Sequence, residues 1–443
     1  MGNIHLFSLN NYNIVLDSAS GAVHVLNEVC YNLLKRITPP LLNNYDDFLS
    51  DEEREAYQEL LELYNGGMLF SDDAEIKPTI SHTIKSMCLH IAHDCNMRCK
   101  YCFAETGDFH RGRTLMSYEI GKAAIDFLLK KSGMIKNLEI DFFGGEPLMN
   151  FSVIKQLVEY GRNEEKKYNK NIRFTLTTNG TLLNDDNIKF INEHISNVVL
   201  SLDGRKTIND HMRVYENGGG TYDDILPNYK KLVESRDCDK DYYIRGTYTR
   251  NNLDFCNDVI HIAESGFNQI SVEPVVLNSG DEYSIREEDL PQIFNEYENL
   301  ALKIIERRKN GEAFNFFHFM IDLDAGPCIY KRIKGCGSGS EYISVTPEGD
   351  IYPCHQFVGH SEYLMGNIHK NELNKDMQTI FANNNITSVD DCKKCWVKYF
   401  CGGGCAANNY TINKDIAKPY KISCELEKKR VECALMIKAA LDA

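Results

Sequence analysis

The sequence predicts an α/β protein with three parts: a small winged-helix-like unit, a partial (β/α)6 barrel and a cysteine-rich C-terminal region. In the middle of the chain, short apolar runs alternate with amphipathic helical patterns, which is typical of repeated βα units and a parallel sheet. A strand-rich stretch precedes this part, and a loop-rich stretch with little regular periodicity follows it. At 443 residues the chain exceeds what one hydrophobic core usually serves. We therefore expect three domains, at residues 1–80, 85–315 and 320–443.

The first domain is predicted from three short strands followed by two helices. The strands are expected at Ile4–Leu9, Tyr12–Leu16 and Ala22–Leu26, and the helices at Glu28–Ile37 and Asp51–Tyr64. Acidic side chains outnumber basic ones in this stretch, which argues against a DNA-binding role. A peptide is the better ligand, because an exposed strand edge accepts an extended peptide as an added strand.

The middle domain is predicted from six strands with helices between them. The strands are expected at Met87–Ala92, Leu138–Phe143, Ile172–Thr177, Val198–Ser201, Tyr243–Thr247 and Ile270–Val275, and two of the helices at Tyr118–Lys131 and Phe151–Tyr168. The Cys95 to Cys102 loop and the segments GGEP, TTNG and SLDG each fall just after a strand. Barrel and open-sheet enzymes place their active sites at these strand ends.

Charge and composition narrow the class of partner. A net charge of −15 would repel a phosphate backbone, so we expect no nucleic-acid partner. The start of the chain lacks a basic segment followed by an apolar one, and no run of about eighteen apolar residues occurs later. We therefore expect a cytoplasmic protein without a membrane partner.

The cysteines favour metal binding over disulfides. The chain has 16 of them without a secretion signal, and cytosolic thiols are kept reduced. Most of them cluster near residue 100 and beyond residue 320. Five stand alone and are expected to be buried small hydrophobic residues: Cys30, Cys88, Cys238, Cys256 and Cys433.

The segment HDCNMRCKYCFAE spaces Cys95, Cys99 and Cys102 as C-x3-C-x2-C. Three thiolates in one loop suit an iron–sulfur cluster that leaves one iron open. On spacing alone, the alternative is a zinc site whose fourth ligand is His93 or His110.

With Tyr101 directly before its last cysteine, this motif resembles the cluster loop of the radical S-adenosylmethionine (SAM) superfamily. The resemblance implies that SAM chelates the open iron of a 4Fe-4S cluster. An electron from the reduced cluster then cleaves SAM into methionine and a 5′-deoxyadenosyl radical, which takes a hydrogen atom from substrate. A low-potential electron donor is therefore an expected partner.

Further motifs of that superfamily follow in order along the chain. The GGEP segment resembles the motif whose glycines let the backbone approach SAM and whose glutamate, here Glu146, pairs with the methionyl ammonium. Arg213 matches an arginine that pairs with the SAM carboxylate, although a solvated surface arginine is the alternative. The residues expected to contact SAM are Gly144, Gly145, Glu146, Asn179, Ser201, Asp203 and Arg213.

Cys392, Cys395, Cys401 and Cys405 are spaced as C-x2-C-x5-C-x3-C, with Cys336 and Cys354 before them and Cys424 after them. This pattern resembles the SPASM domain, which adds auxiliary 4Fe-4S clusters to peptide-modifying radical SAM enzymes. By that resemblance, Cys392, Cys395, Cys401 and Cys424 hold one auxiliary cluster, and Cys336, Cys354 and Cys405 hold another, which makes three clusters in all. Cys328 is the remaining candidate ligand, and if it does not ligate, the open iron is available to a substrate thiolate. A pair of zinc sites is the alternative.

The three-part layout resembles maturases of ribosomally made, post-translationally modified peptides. Four segments, namely SGAVHVLNEVCYNLL, HDCNMRCKYCFAETG, TPEGDIYPCHQFVG and CGGGCAANN, are similar to the thioether-forming maturases of cysteine-rich SCIFF peptides. This resemblance implies a precursor peptide whose leader binds the N-terminal domain and whose cysteine sulfur bonds to a carbon. No residue is assigned as a catalytic acid or base. Asp141, Arg245 and Glu273 either face the substrate or are hydrogen-bonded residues of the barrel mouth.

Three other functions stay open. An anaerobic sulfatase-maturating enzyme would share both cysteine regions, but that interpretation does not explain the extra N-terminal unit. A maturase of a quinone-cofactor precursor, or another peptide cross-linker, differs only in the peptide that it accepts. A zinc-stapled peptide-binding scaffold without catalysis is the alternative outside the enzymes.

Overall fold

The computed structural model describes residues 4–42, 50–73, 76, 81–321 and 332–442. The N-terminal unit consists of an antiparallel sheet in the order β1 (Ile4–Leu9), β2 (Tyr12–Asp17), β3 (Val23–Leu26), followed by helices α1 (Glu28–Leu34) and α2 (Asp51–Asn65). All five predicted elements are present. Local capping explains the helix starts, since Asn27 accepts from the N–H of Cys30 and Ser50 forms a capping box with Glu53.

The middle of the chain forms the predicted βα repeat. Its elements are β4 (Ser86–His93), β5 (Thr114–Leu115), α3 (Tyr118–Lys131), β6 (Asn137–Gly144), α4 (Phe151–Tyr168), β7 (Asn171–Thr178), α5 (Asp185–His194), β8 (Asn197–Ser201), α6 (Lys206–Met212), α7 (Tyr222–Glu234), β9 (Asp241–Tyr248), α8 (Phe255–Glu264), β10 (Gln269–Pro274), α9 (Leu290–Lys309) and β11 (Asn315–Phe316). Strands β4, β6, β7, β8, β9, β10 and β11 pair in parallel in that order. The six predicted strands are therefore β4 and β6 to β10, and the short β11 adds a seventh parallel strand beyond β10.

Strand alternation gives the barrel an apolar outer layer and a polar interior. In β4, Met87, Leu89 and Ile91 are fully buried with apolar residues of α3 and α4. The intervening His90 packs against Phe109 and Phe143 on the other face. This alternation turns polar side chains toward the inside of the sheet, where the strands end together.

The C-terminal region continues the same sheet. It contains β12 (Tyr342–Val345), β13 (Asp350–Tyr352), β14 (Gly366–Asn367), α10 (Lys375–Asn383), α11 (Asp390–Lys393), α12 (Lys398–Cys401), α13 (Ala406–Asn413) and α14 (Lys421–Asp442). Strand β12 pairs in parallel with β4, and β13 and β14 add antiparallel strands beyond it. The cysteine loops are therefore attached to the edge of the barrel sheet.

Helix α14 differs from the expectation of a loop-rich C-terminal region. It is 22 residues long, and it packs on α9 of the barrel and on β1 and β2 of the N-terminal unit. Because it is sandwiched between two layers, its second half buries consecutive residues from Cys433 to Ile437 rather than one stripe. The sequence of α14 therefore lacks the one-sided apolar pattern of an amphipathic helix. None of the helices in the described ranges is long and apolar enough to cross a bilayer.

The N-terminal unit contacts the cysteine loop around Cys392–Cys401. The ring of His5 in β1 stacks on Trp396 with centroids 3.6 Å apart and planes 2° apart, and His5 Nε2 lies 2.8 Å from a Glu432 carboxylate oxygen. The Lys398 ammonium, which is almost fully buried, pairs with Asp73 at 2.7 Å. These contacts join four segments of the chain: β1, the segment at Asp73, the cysteine loop and α14.

Four of the five solitary cysteines are buried as predicted, namely Cys30, Cys88, Cys256 and Cys433. The prediction for Cys238 is wrong, because this residue is exposed in the turn between α7 and β9. A turn on the surface gives its side chain no apolar layer to enter.

Candidate active site

A cavity of about 260 Å³ opens at the carboxyl ends of strands β6 to β10. The thiols of Cys95, Cys99 and Cys102 lie on one side of it, and the ends of the strands form the other side. Segments that are far apart in the sequence meet there, because the carboxyl ends of parallel strands lie at the same edge of the sheet.

The three thiols are close neighbours in a buried setting. Burial raises the pKa of Cys95 to about 11 and that of Cys99 to about 12, and it also raises the pKa of Cys102. The nearby guanidinium of Arg213 opposes this rise at all three sites. Three thiolates in this pocket therefore need additional positive charge, which a metal cluster supplies. Within the described residues, no three Cys, His, Asp or Glu side chains converge closely enough to share a single metal ion.

The Gly144–Gly145 pair packs against the segment that leads into Cys95. A Cβ on Gly144, whose φ is +134°, would lie 2.2 Å from the carbonyl oxygen of Ala92, and one on Gly145 would lie 2.1 Å from that of Asp94. The N–H groups of Gly145 and Glu146 donate to these same two carbonyls, each at 2.8 Å. The loop after β6 thus fixes the start of the cluster loop, and it accepts only glycine at both positions.

Glu146 is fully buried at the end of β6. Its carboxylate accepts from the N–H of Leu148 at 3.0 Å, from the hydroxyl of Thr178 at 2.8 Å and from the N–H of Asn179 at 2.7 Å. Burial raises its pKa to about 6 in spite of these bonds. In this structure Glu146 joins the ends of β6 and β7, and its pairing with a methionyl ammonium stays a prediction.

Asn179 and Ser201 line the cavity as the sequence predicts for ligand contacts. The Asn179 amide donates to the side-chain oxygen of Asn96 at 3.0 Å and lies 3.7 Å from the Cys95 sulfur. It therefore holds the cluster loop against the end of β7.

Asp203 lies one layer behind the cavity. It is fully buried, and its carboxylate accepts from the Tyr101 hydroxyl at 2.7 and 2.8 Å and from the N–H of Thr247 at 3.0 Å. Arg213 donates to the same hydroxyl at 3.0 Å. Sequence reasoning missed this Tyr101–Asp203–Arg213 network, because Tyr101 is more than a hundred positions away from the other two residues.

Arg213 is the cation next to the three thiols of the cavity. Its side chain is buried, it lines the cavity beside the three thiols, and its Nε has no hydrogen-bond partner among the described residues. A buried guanidinium with an unused donor suits an anionic ligand such as a carboxylate. The residues present therefore fit SAM and a thiolate-bound cluster.

The C-terminal cysteines separate into two groups. Burial and the charges of Cys401 and Cys395 raise the pKa of Cys392 to about 11, and Cys424 responds in the same way to burial and to Cys392 and Cys395. In the other group, burial and the charges of Cys405 and Cys336 raise the pKa of Cys354 to about 12. These groups have the members of the two ligand sets expected from the sequence, and their binding of clusters stays a prediction. Cys328 lies outside the described residues.

A second cavity, of about 820 Å³, lies between α14 and the cysteine loops. Cys392, Cys395, Cys401, Cys405 and Cys424 line it. Glu273, Pro274, Val276 and Asn408 line both cavities and so form a shared wall. Arg245 lines the first cavity and pairs with Glu273, whereas Asp141 lines neither.

Family models match two parts of the chain. The radical SAM superfamily model matches residues 89–243, and a SPASM model, described as an iron–sulfur cluster-binding domain, matches residues 336–396. These ranges contain the first thiol cluster and four of the C-terminal cysteines.

Two relatives are similar to this chain over most of its length. A cysteine-type anaerobic sulfatase-maturating enzyme of Clostridium novyi is 26% identical over 71% of this chain and 86% of its own length. The radical SAM cyclopropyl synthase TigE of Paramaledivibacter caminithermalis is 23% identical over 95% of this chain and 91% of its own length.

Two solved structures share the fold. Native anSMEcpe with bound AdoMet superimposes with a TM-score of 0.66 at 23% identity, covering 81% of this chain and 100% of that one. Streptococcus suis SuiB bound to its precursor peptide SuiA superimposes with a TM-score of 0.53 at 18% identity, covering 94% of this chain and 97% of that one.

Proposed function

Because the chain contains a radical SAM domain followed by a SPASM iron–sulfur domain, we propose that it is a maturase that forms thioether cross-links in a ribosomally made, cysteine-rich precursor peptide. The observation that carries this proposal is the wall shared by the two cavities. A peptide lying at this wall has the first thiol cluster on one side and the auxiliary thiols on the other. That placement suits a reaction that takes hydrogen from carbon and bonds sulfur to it.

The cofactor sites follow from the residues around each cavity. Cys95, Cys99 and Cys102 would hold the SAM-binding 4Fe-4S cluster, and the carboxylate of SAM would meet the unused donor of Arg213. Bound SAM and the reduced cluster would supply a hydrogen-abstracting radical. The two groups of C-terminal cysteines would hold two auxiliary 4Fe-4S clusters, with Cys328 as the remaining candidate ligand. A low-potential donor is needed to deliver electrons.

The protein's own contribution is to position the peptide and to exclude water. Phe103, Phe143, Val275 and Val276 give the first cavity an apolar side next to the polar strand ends. Overall, the peptide loses a hydrogen atom from carbon, a proton from the cysteine thiol and one electron, and it gains a carbon–sulfur bond. Bound SAM would supply the group that takes up the hydrogen atom, and a cluster held by the C-terminal cysteines would supply the acceptor for the electron, while the proton would pass to water.

The leader of the precursor would bind at β3 of the N-terminal unit. Within the described residues β3 pairs only with β2, and Val25 on it is 56% exposed. A groove of about 420 Å³ runs between the start of β3 and Leu435 and Ala439 of α14. A free strand edge beside an apolar groove suits β-strand addition, with main-chain bonds on the edge and alternate side chains in the groove.

The test is an anaerobic incubation of reconstituted, reduced protein with SAM and a cysteine-rich peptide encoded beside it. We expect 5′-deoxyadenosine together with a peptide lighter by two hydrogens in which one thiol resists alkylation. A protein that holds zinc and does not cleave SAM would refute the enzyme assignment. SAM cleavage that leaves every peptide thiol free to alkylate would refute thioether formation.

An anaerobic sulfatase-maturating activity is the second candidate. The similarity of this chain to the Clostridium novyi enzyme over 86% of that enzyme's length favours it. Against it, that match spans 71% of this chain, whereas the match to TigE spans 95%. A sulfatase-derived peptide decides between the two, since oxidation of its Cys or Ser would support this candidate and its recovery unchanged would support the first.

A further inference from the structure

Arg245 and Glu273 form an ion pair at the wall between the two cavities. The Arg245 guanidinium donates from Nη2 to Glu273 Oε2 at 3.0 Å, across neighbouring parallel strands β9 and β10. Both side chains remain partly accessible, with 46% of the Arg245 side chain and 36% of the Glu273 side chain exposed. Both side chains line the first cavity, where a bound ligand can reach them.

Both groups keep unused hydrogen-bonding capacity. A guanidinium has five N–H donors, and the described residues give that of Arg245 one bond, to Glu273. Glu273 keeps Oε1, which lies 4.0 Å from the ring of His318. Burial raises the pKa of Glu273, but the charge of Arg245 outweighs it and lowers the pKa to about 2. Burial lowers the pKa of His318 to about 3, so this ring is neutral near pH 7.

A cationic donor and an anionic acceptor side by side match the main chain of an extended peptide. In an extended strand, the N–H and C=O of one residue point to the same side, which is how paired antiparallel residues exchange two bonds. An acidic substrate side chain fits less well, because Glu273 stands next to Arg245 and would repel it.

We propose that Arg245 and Glu273 form a clamp that binds the main chain of the precursor peptide at the residue whose carbon is cross-linked. Arg245 donates to the carbonyl of that residue, and Glu273 accepts from its N–H. This inference rests on the proposed function and deepens it, since it assigns the substrate class as an extended peptide read by its backbone. The clamp accepts many side chains at the cross-linked position and excludes proline, which has no N–H.

The experiment is a cycle between enzyme and peptide, measured as the dissociation constant of a fluorescent precursor peptide on cluster-loaded protein. The enzyme change is Glu273→Gln, and the peptide change is N-methylation of the amide at the cross-linked residue. Each change alone is expected to weaken binding about tenfold, because N-methylation removes the hydrogen bond and Glu273→Gln replaces its charged acceptor with a neutral one. Together they are expected to cost no more than N-methylation alone, since no hydrogen bond is then left for Glu273→Gln to weaken.

Arg173→Gln is the matched control. Arg173 pairs with Asp241 at 2.8 Å near the amino ends of β7 and β9, whereas both cavities lie toward the carboxyl ends of the strands. Removal of this ion pair is therefore expected to leave peptide affinity unchanged. Additive effects of Glu273→Gln and N-methylation would overturn the clamp, as would unaltered binding by either change. Iron content checks that each variant is intact. Because the readout is binding, a protein that binds the peptide but oxidises it without a thioether would refute the proposed function and leave the clamp supported.

Discussion

Tyr101→Phe is the substitution that most directly tests the architecture of the SAM site. It removes one hydroxyl and leaves the ring and all cysteines in place. That hydroxyl donates to Asp203 at 2.7 and 2.8 Å and accepts from Arg213 at 3.0 Å. Without it, a buried carboxylate and a buried guanidinium each lose one partner.

The magnitude follows from these contacts. A buried hydrogen bond to a charged group contributes about 1.5–3 kcal/mol, and the hydroxyl serves two charged groups. Asp203 keeps the N–H of Thr247, and the direct attraction between Asp203 and Arg213 remains. We therefore expect a loss of about 2–4 kcal/mol in the free energy of unfolding. SAM affinity should fall about tenfold or more, because Arg213 loses the contact that orients it.

Thermal unfolding and SAM binding, both measured anaerobically on reconstituted protein, check this prediction. Tyr160→Phe is the control, since its hydroxyl also donates to a carboxylate, that of Asp126 at 2.5 Å, but on the outer helices far from the cavity. The control should bind SAM like the wild type. Iron content should be equal in all three proteins, because no thiol changes. A Tyr101→Phe protein with wild-type stability and SAM affinity would refute the role of the network.

Three further predictions concern the loop after β6, the barrel interior and the auxiliary thiols. Gly145→Ala should lower iron incorporation, because the new Cβ would lie 2.1 Å from the carbonyl oxygen of Asp94. Gly280→Ala is the control and should keep its iron, since a Cβ there has no atom within 4 Å. Equal iron content in both variants would contradict this prediction. Burial raises the pKa of Asp141 to about 6. Between about pH 4 and about pH 6 the Asp141 carboxyl is ionised in the unfolded chain but protonated in the native state, so the free energy of unfolding falls as the pH rises. Asp141→Asn removes this loss, and the stability that it gains should grow over the same pH range. A gain independent of pH would contradict this prediction. Cys424→Ala should remove auxiliary iron, while Cys433→Ala, a fully buried residue of the same helix, should keep it, as iron analysis will decide.

Local elements were predictable from the sequence to within a few residues. Strand β1 and helices α3 and α4 have the predicted bounds, because clear periodicity and capping residues mark them. Helix α14 was missed, since burial on two sides removes the one-sided pattern on which such predictions depend.

The candidate site was predictable in its residue types and less so in its contacts. The spacing of Cys95, Cys99 and Cys102 and the strand-end position of GGEP placed them near one another. The buried position of Asp203 behind Tyr101, and the approach of Glu273 to the auxiliary cavity, depend on packing between distant segments. A single sequence carries no record of such pairs.

The stack of His5 on Trp396 allows the contact between the N-terminal unit and the cysteine loop to be followed by intrinsic tryptophan fluorescence. Trp396 is the one tryptophan of the 443-residue chain, and it directly follows Cys395 while touching the first strand of the N-terminal unit. Its emission therefore reports on one junction, where the N-terminal unit rests on the cysteine loop around Cys392–Cys401. We expect this emission to change when iron leaves that loop, and His5→Ala to alter it without a change in iron. The docking of the N-terminal unit would then depend on cluster assembly, so that a chain without its C-terminal iron would hold this unit in a different position.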